Sequence, residues 1–146
     1  MNSFSFESRN PAGEKERFFS ELRQFAVDSG WSPAISNEVE LVIEEWWTNL
    51  ISYGLVGQPH PLIKVCVNTN SRSVILEIED NGMPFDPTLR PGPDLSLPLE
   101  QRPIGGLGIY MIKKLTRQMH SERRAGRNIL RIEKDLTRPV LGTGQR

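Results

Sequence analysis

The first third of the chain carries two different hydrophobic periods. Phe4 and Phe6 alternate with polar neighbours, and this period of two predicts a short strand that ends before Pro11. From Glu14 onward the apolar residues recur every three or four positions, which predicts an amphipathic helix that ends near Gly30. The apolar face of this helix consists of Phe18, Phe19, Leu22, Phe25 and Ala26.

A second helix is predicted to start at Ser32 and Pro33, because a hydroxyl side chain followed by proline is typical of a helix N-terminus. It extends to about Tyr53, and Gly54 is the expected C-terminal glycine. Its apolar stripe predicts that one side of the helix packs in the core. That stripe consists of Val39, Val42, Ile43, Trp46 and Leu50.

The remaining periodic segments predict four strands and one helix. Residues 62–67 and 74–78 are rich in strand-forming residues and are joined by a polar segment, which predicts a hairpin. Two further strands are expected near residues 119–124 and 129–133. Between the two pairs, the apolar face of residues 107–115 predicts a short helix.

Residues 84–103 contain several prolines and little periodicity, and a loop of this length in a small domain is usually functional or mobile. The predicted order is strand, two helices, two strands, loop, helix and two strands. This order favours an α/β two-layer sandwich with a mixed, mostly antiparallel sheet and helices on one face. We expect one domain over residues 1–136, followed by a frayed tail at residues 137–146.

Composition narrows the class of protein. The chain has 146 residues, and its 18 lysines and arginines balance 18 aspartates and glutamates. This balance argues against direct binding of nucleic acid, since a basic field supplies most of the non-specific affinity. The single cysteine, Cys66, excludes an internal disulfide. The sequence shows neither a signal peptide nor the ~20 apolar residues of a membrane helix, so we expect a cytoplasmic protein that does not contact a membrane.

Glu45 and Asn49 are the first candidate pair for chemistry. They lie one turn apart in the second predicted helix, on a face that borders its apolar stripe. A carboxylate there is partly desolvated and basic enough to accept a proton from a hydroxyl, and the amide oxygen of Asn49 is a ligand suited to Mg2+. The alternative is a solvated glutamate beside a surface asparagine.

A second candidate site lies at the end of the strand predicted for residues 74–78. Asp80 follows that strand, and Gly82 comes two residues later. A carboxylate at a strand end can accept a hydrogen bond from the exocyclic amine of adenine, while a glycine lets the backbone approach the ring. The alternative is an ordinary Asp-Asn-Gly turn, but Pro84 and Phe85 favour a structured loop instead.

A glycine cluster forms the third candidate segment. Gly105, Gly106 and Gly108, with Leu107 between them, precede an apolar helical segment. Backbone N–H groups and the dipole at a helix N-terminus attract anions, and glycines allow a phosphate to approach closely. No Gly-Lys-Ser/Thr follows, so the cluster is not a Walker loop. The alternative is a flexible hinge between loop and helix.

In combination, these segments resemble the N, G1 and G2 boxes of the GHKL ATPases, the superfamily that includes the histidine kinases and DNA gyrase. The chain is most similar to the anti-sigma-factor serine/threonine kinases of bacterial partner-switching systems. The resemblance extends over nearly the whole chain. It is carried by Glu45-Trp46-Trp47-Thr48-Asn49, by residues 80–87 and 98–108, and by Gly126-Arg127-Asn128.

The resemblance implies a Bergerat-type ATP-binding fold. Asn49 would bind Mg2+, Glu45 would be the general base, and Asp80 would bind adenine with Gly82 beside it. A lid would lie near residues 86–104. The remaining cofactor-binding residues would be Gly105, Gly106, Leu107 and Gly108.

The activity implied by the resemblance is phosphorylation of a STAS-type anti-anti-sigma protein on serine or threonine, together with sequestration of a sigma factor. The alternative is a non-catalytic ATP-binding module that sequesters a regulator. Tyr53 and Met83 depart from the residues common in the family, and both departures bear on nucleotide affinity. A homodimer is also expected, because the predicted first strand is a plausible sheet edge and the chain is rich in tryptophan. The three tryptophans are Trp31, Trp46 and Trp47.

Overall fold

A five-stranded antiparallel sheet forms one layer of the protein in the computed structural model, which describes residues 2–89 and 106–141. The sheet order is β1-β2-β3-β5-β4. The strands are β1 (Asn2–Ser8), β2 (Ile63–Thr69), β3 (Ser73–Asp80), β4 (Gln118–Arg124) and β5 (Arg127–Asp135).

Every pairing among these strands is antiparallel, so the mixed component of the predicted sheet is absent from the described residues. The reason lies in the connections. Two helices separate β1 from β2, and the three reversals of chain direction that they create return β2 antiparallel to β1. One helix separates β3 from β4, but β5 lies between these two strands and runs antiparallel to both.

Within the described residues, three α-helices form the second layer: α1 (Pro11–Asp28), α2 (Pro33–Asn49) and α3 (Gly106–Leu115). Helix α1 begins earlier than predicted, because Pro11 lies in its first turn and Asn10 caps it by accepting a hydrogen bond from the backbone of Gly13. Helix α2 begins at the predicted position, where Ser32 accepts from the N–H of Ile35. A π-helical turn (Leu50–Gly54) follows α2, and a short 3-10 turn (Pro87–Leu89) follows β3.

The core lies between one face of the sheet and the helices. Alternate residues of β2 and β3 are buried, as the period of two predicts. Trp47 is 1% exposed and stacks on Phe18 of α1 with ring centroids 4.9 Å apart. Trp46 is 3% exposed and Trp31 is partly buried against the same core, so one core does hold all three indole rings. The prediction that tryptophans form an interaction surface is therefore wrong.

A buried ion pair joins the two layers near the end of the chain. Lys134 of β5 donates to Glu38 of α2 and to the carbonyl of Leu115 at the end of α3. The Glu38 carboxylate also accepts the backbone N–H groups of Val140 and Leu141. The predicted fraying of the tail therefore does not extend to these two residues, although the domain boundary at residue 136 stays a prediction.

No helix within residues 2–89 and 106–141 combines the length and the apolar character that crossing a membrane requires.

Candidate functional site

Asp80 is the last residue of β3, and only one of its two carboxylate oxygens accepts hydrogen bonds within the described residues. The residue is 1% exposed, and its Oδ1 accepts from the N–H of Gly82 at 2.8 Å and from Nδ2 of Asn128 at 3.0 Å. Its Oδ2 is buried and has no hydrogen-bond partner among the described residues. Burial raises the pKa of Asp80 above its usual range, while the two hydrogen bonds partly oppose the shift. A buried, unpaired acceptor is rare, and a ligand that donates a hydrogen bond would satisfy it.

Asn128 is the residue that holds Asp80 in place. It lies directly opposite Asp80 in the β3–β5 pairing. Its Nδ2 also donates to the carbonyl of Met83 at 2.8 Å, and its Oδ1 accepts from the N–H of Phe85 and from Arg123. The sequence predicts no role for Asn128 beyond its place in the Gly126-Arg127-Asn128 segment that carries the resemblance. The strand register, which places it beside Asp80, is what gives it this role.

Gly82 is required by the backbone of the protein itself. A Cβ at this position would lie 2.3 Å from the carbonyl oxygen of Gly54, which also accepts the N–H of Met83 at 3.1 Å. The turn after Asp80 thus packs directly on the π-helical turn that follows α2. This contact differs from the expected reason for the glycine, which was approach to an adenine ring. Arg123 fixes the same turn from the other side by donating to the carbonyl of Gly82 at 2.9 Å.

The C-terminal part of α2 supplies the two residues predicted for catalysis and metal binding. Glu45 and Asn49 are both half-buried, and Asn49 is the last residue of α2. The Nδ2 atom of Asn49 is buried and has no partner in the described part of the chain. A π-helical turn follows at once, a feature that is frequent at functional sites.

Helix α3 meets α2 at Glu45. A Cβ on Gly108 would lie 2.7 Å from Oε2 of Glu45, so the carboxylate rests against the first turn of α3. Gly106 and Leu107 are the first two residues of this helix. Gly105 lies outside the described residues, as does most of the predicted lid. The structure therefore brings Glu45 and Gly108 together, as a site shared by α2 and α3 requires.

The described residues fit a nucleotide better than a free-standing metal site. They contain no group of three or more histidine, cysteine, aspartate or glutamate side chains able to hold a metal ion. They do present an unpaired carboxylate oxygen at Asp80, an unpaired amide nitrogen at Asn49 and the N-terminus of α3. Mg2+ is commonly held by one or two protein ligands together with substrate phosphates and water.

Comparisons with known proteins agree with this fold. Residues 11–134 match the family described as the histidine kinase-like ATPase domain, and the chain belongs to that family. Membership implies that it binds ATP. The GHKL resemblance and the Bergerat-type fold predicted from the sequence are confirmed.

Two similar proteins illustrate the family. The serine/threonine-protein kinase BtrW of Bordetella bronchiseptica is 27% identical over 111 residues, which cover 76% of this chain and 78% of that protein. The histidine kinase domain of the blue-light activated histidine kinase EL346 of Erythrobacter litoralis superposes with a TM-score of 0.53 at 14% identity. That match covers 89% of this chain but 63% of the other, and it supports the fold alone.

Proposed function

We propose that this protein is an ATP-dependent serine/threonine kinase that phosphorylates a STAS-type anti-anti-sigma protein. The observation that carries the proposal is the buried, unpaired Oδ2 of Asp80. The exocyclic amine of adenine supplies the donor that this oxygen lacks. The similarity to a protein named as a serine/threonine kinase supports the choice of acceptor. Cytoplasmic location and sequestration of a sigma factor belong to the same proposal.

The proposed mechanism assigns one task to each end of the site. Asp80 binds adenine, and the first turn of α3, with Gly106 and Gly108, faces the phosphates. Asn49 would contribute its amide oxygen to the Mg2+ that accompanies ATP, and the ion would neutralise charge on the phosphates. Glu45 accepts the proton of the acceptor hydroxyl as that oxygen attacks the γ-phosphorus and ADP leaves. Phosphoryl transfer depends mostly on positioning and charge neutralisation, so this small set of residues suffices.

The decisive experiment is incubation with radiolabelled ATP, Mg2+ and each STAS-domain protein of the same genome. We expect one of these proteins to be labelled on serine or threonine. Glu45→Gln should retain nucleotide binding and lower the rate by about 10²–10⁴-fold, the usual effect of removing a general base. Glu44→Gln is the matched control, since Glu44 lies on the same helix but pairs with Lys15 of α1, whereas Glu45 contacts α3.

Two results would change the proposal. A Glu45→Gln protein that labels its partner at the wild-type rate would exclude Glu45 as the base. If ATP binds but no STAS protein is labelled, while one of them forms a complex, the non-catalytic alternative becomes the better function.

A further inference from the structure

Of the three tryptophans, Trp46 alone has an indole N–H with no hydrogen-bond acceptor among residues 2–89 and 106–141. Trp31 donates from Nε1 to the hydroxyl of Thr69 at 3.1 Å, and Trp47 donates to the carbonyl of Pro11 at 3.0 Å. Trp46 is buried, as Trp47 is, yet its Nε1 has no partner in the described part of the chain. Buried polar groups are normally hydrogen-bonded, so this donor points to an acceptor that arrives with a ligand.

The surroundings of Trp46 connect it to the proposed nucleotide site. It follows Glu45 directly and lies three residues before Asn49, which places Trp46 and Asn49 on the same side of α2. Its ring stacks on Phe85, with centroids 5.9 Å apart and planes 21° apart. The backbone of Phe85 is held by Asn128.

A short chain of contacts therefore joins two unsatisfied atoms. Asn128, which holds Phe85, also donates to Asp80. At one end of the chain the buried Nε1 of Trp46 lacks an acceptor, and at the other the buried Oδ2 of Asp80 lacks a donor. A ligand that carries a donor beside an acceptor has the two hydrogen-bonding groups that these atoms lack.

We infer that Nε1 of Trp46 donates a hydrogen bond to a ring nitrogen of adenine. The inference rests on the proposed ATP site and adds a specificity-determining residue to it. Adenine carries its exocyclic amine, the donor for Asp80, between two ring acceptors, N1 and N7. Guanine presents a carbonyl in place of that amine and carries a proton on N1, so it offers Asp80 no donor at the same position. Trp46 would donate to a ring nitrogen of adenine, and Asp80 would accept from the exocyclic amine at the adjacent position of the same base.

The first test follows the indole N–H groups by 15N–1H NMR during titration with Mg-ATP. The three tryptophans give three indole signals, which Trp→Phe variants assign. The Trp46 signal should move downfield as the hydrogen bond forms. The signals of Trp31 and Trp47, whose donors are already bonded within the protein, serve as internal controls and should move much less.

The second test removes the acceptor and the donor of the proposed hydrogen bond in turn. Wild-type protein should bind either 7-deaza-ATP or 1-deaza-ATP about 3- to 10-fold more weakly than ATP, which is the effect of losing one hydrogen bond. Trp46→Phe keeps an aromatic ring against Phe85 but removes the donor. It should bind ATP more weakly by a similar factor. It should also bind ATP and the deaza analogue that the wild type binds weakly with equal affinity. Trp47→Phe should keep the discrimination.

The possible outcomes separate this inference from the function on which it rests. If the wild type binds no adenine nucleotide, both fail. If it binds ATP, but the Trp46 signal is unmoved and Trp46→Phe keeps the full discrimination against both analogues, only the role of Trp46 is overturned.

Discussion

At the scale of single residues, Asp80 shows how the site opposes the stability of the fold. Its carboxylate is buried with one oxygen unpaired, and burial raises its pKa. The folded state therefore binds a proton more readily than the unfolded state. As the pH falls from neutral through the raised pKa, Asp80 is protonated and the energetic penalty of the buried charge disappears. The contribution of Asp80 to the free energy of unfolding therefore increases.

The first prediction concerns Asp80→Asn, which removes this titration. The free energy of unfolding of the wild type should rise relative to that of Asp80→Asn as the pH is lowered from neutral toward about 4, the ordinary pKa of an aspartate. Urea unfolding of both proteins at several pH values measures the difference. Calorimetry should show that Asp80→Asn binds ATP far more weakly at neutral pH. A difference in stability that does not change with pH would contradict the raised pKa.

The two glycines of the site should respond differently to alanine. In Gly82→Ala the new Cβ would meet a backbone oxygen of Gly54 at 2.3 Å, which cannot move without displacing the π-helical turn. In Gly108→Ala it would meet the far end of the Glu45 side chain, which can rotate away.

We therefore predict that Gly82→Ala destabilises the fold by about 2 kcal/mol or more. Gly108→Ala should cost little stability, because alanine favours a helix, but should slow phosphoryl transfer by displacing Glu45. Thermal unfolding and the labelling assay measure the two effects. Equal loss of stability in both variants would show that the contact between α2 and α3 is as rigid as the backbone contact.

At the scale of elements, the Glu38–Lys134 pair connects α2 to β5. Through further hydrogen bonds it also contacts the end of α3 and the residues that follow β5. Both side chains are almost completely buried. Burial raises the pKa of Glu38, but the hydrogen bonds from Lys134 and from the backbone of Val140 and Leu141 outweigh it and leave the pKa below its usual value. The stabilisation is therefore present at neutral pH and is lost as the pH falls through the lowered pKa.

Lys134→Met should destabilise the protein by about 3–5 kcal/mol, because it leaves the Glu38 carboxylate buried without its cation. Arg124→Met is the control, since its pair with Glu122 is exposed and should contribute less than about 1 kcal/mol. Urea unfolding at neutral pH compares the two variants. A loss below about 1 kcal/mol in Lys134→Met would show that the Glu38 carboxyl is protonated or hydrated once its cation is gone, and would contradict the predicted penalty.

At the scale of the whole molecule, the homodimer stays a prediction with a narrower basis. The tryptophans no longer support it, because they lie in the core of one chain. Strand β1 does lie at an edge of the sheet, and edges with free backbone groups invite pairing.

Light scattering across a dilution series, with and without ATP, should show a dimer. Ser5→Lys, which adds charge on the exposed face of β1, should shift it toward monomer, whereas Ser71→Lys in the β2–β3 turn should not. A mass of 16.6 kDa at high concentration would exclude the dimer.

The sequence by itself determined the elements and their approximate limits. Most strands and helices have a hydrophobic period or a capping signal that is local in sequence, as at Ser32 and Pro33. The same local signals identified Glu45, Asn49 and Asp80 as candidates, because carboxylates and amides at element ends are visible in the sequence.

Only the tertiary structure decided what those candidates contact. Asn128 reaches Asp80 through strand pairing across 48 residues, and Gly82 is required by the carbonyl of Gly54. The difference between Trp46 and Trp47, two adjacent indoles in one helix, lies wholly in the acceptors that the fold brings to them. Hydrogen-bond satisfaction depends on distances between segments far apart in the chain, and hydrophobic periods along a sequence carry no information about such distances.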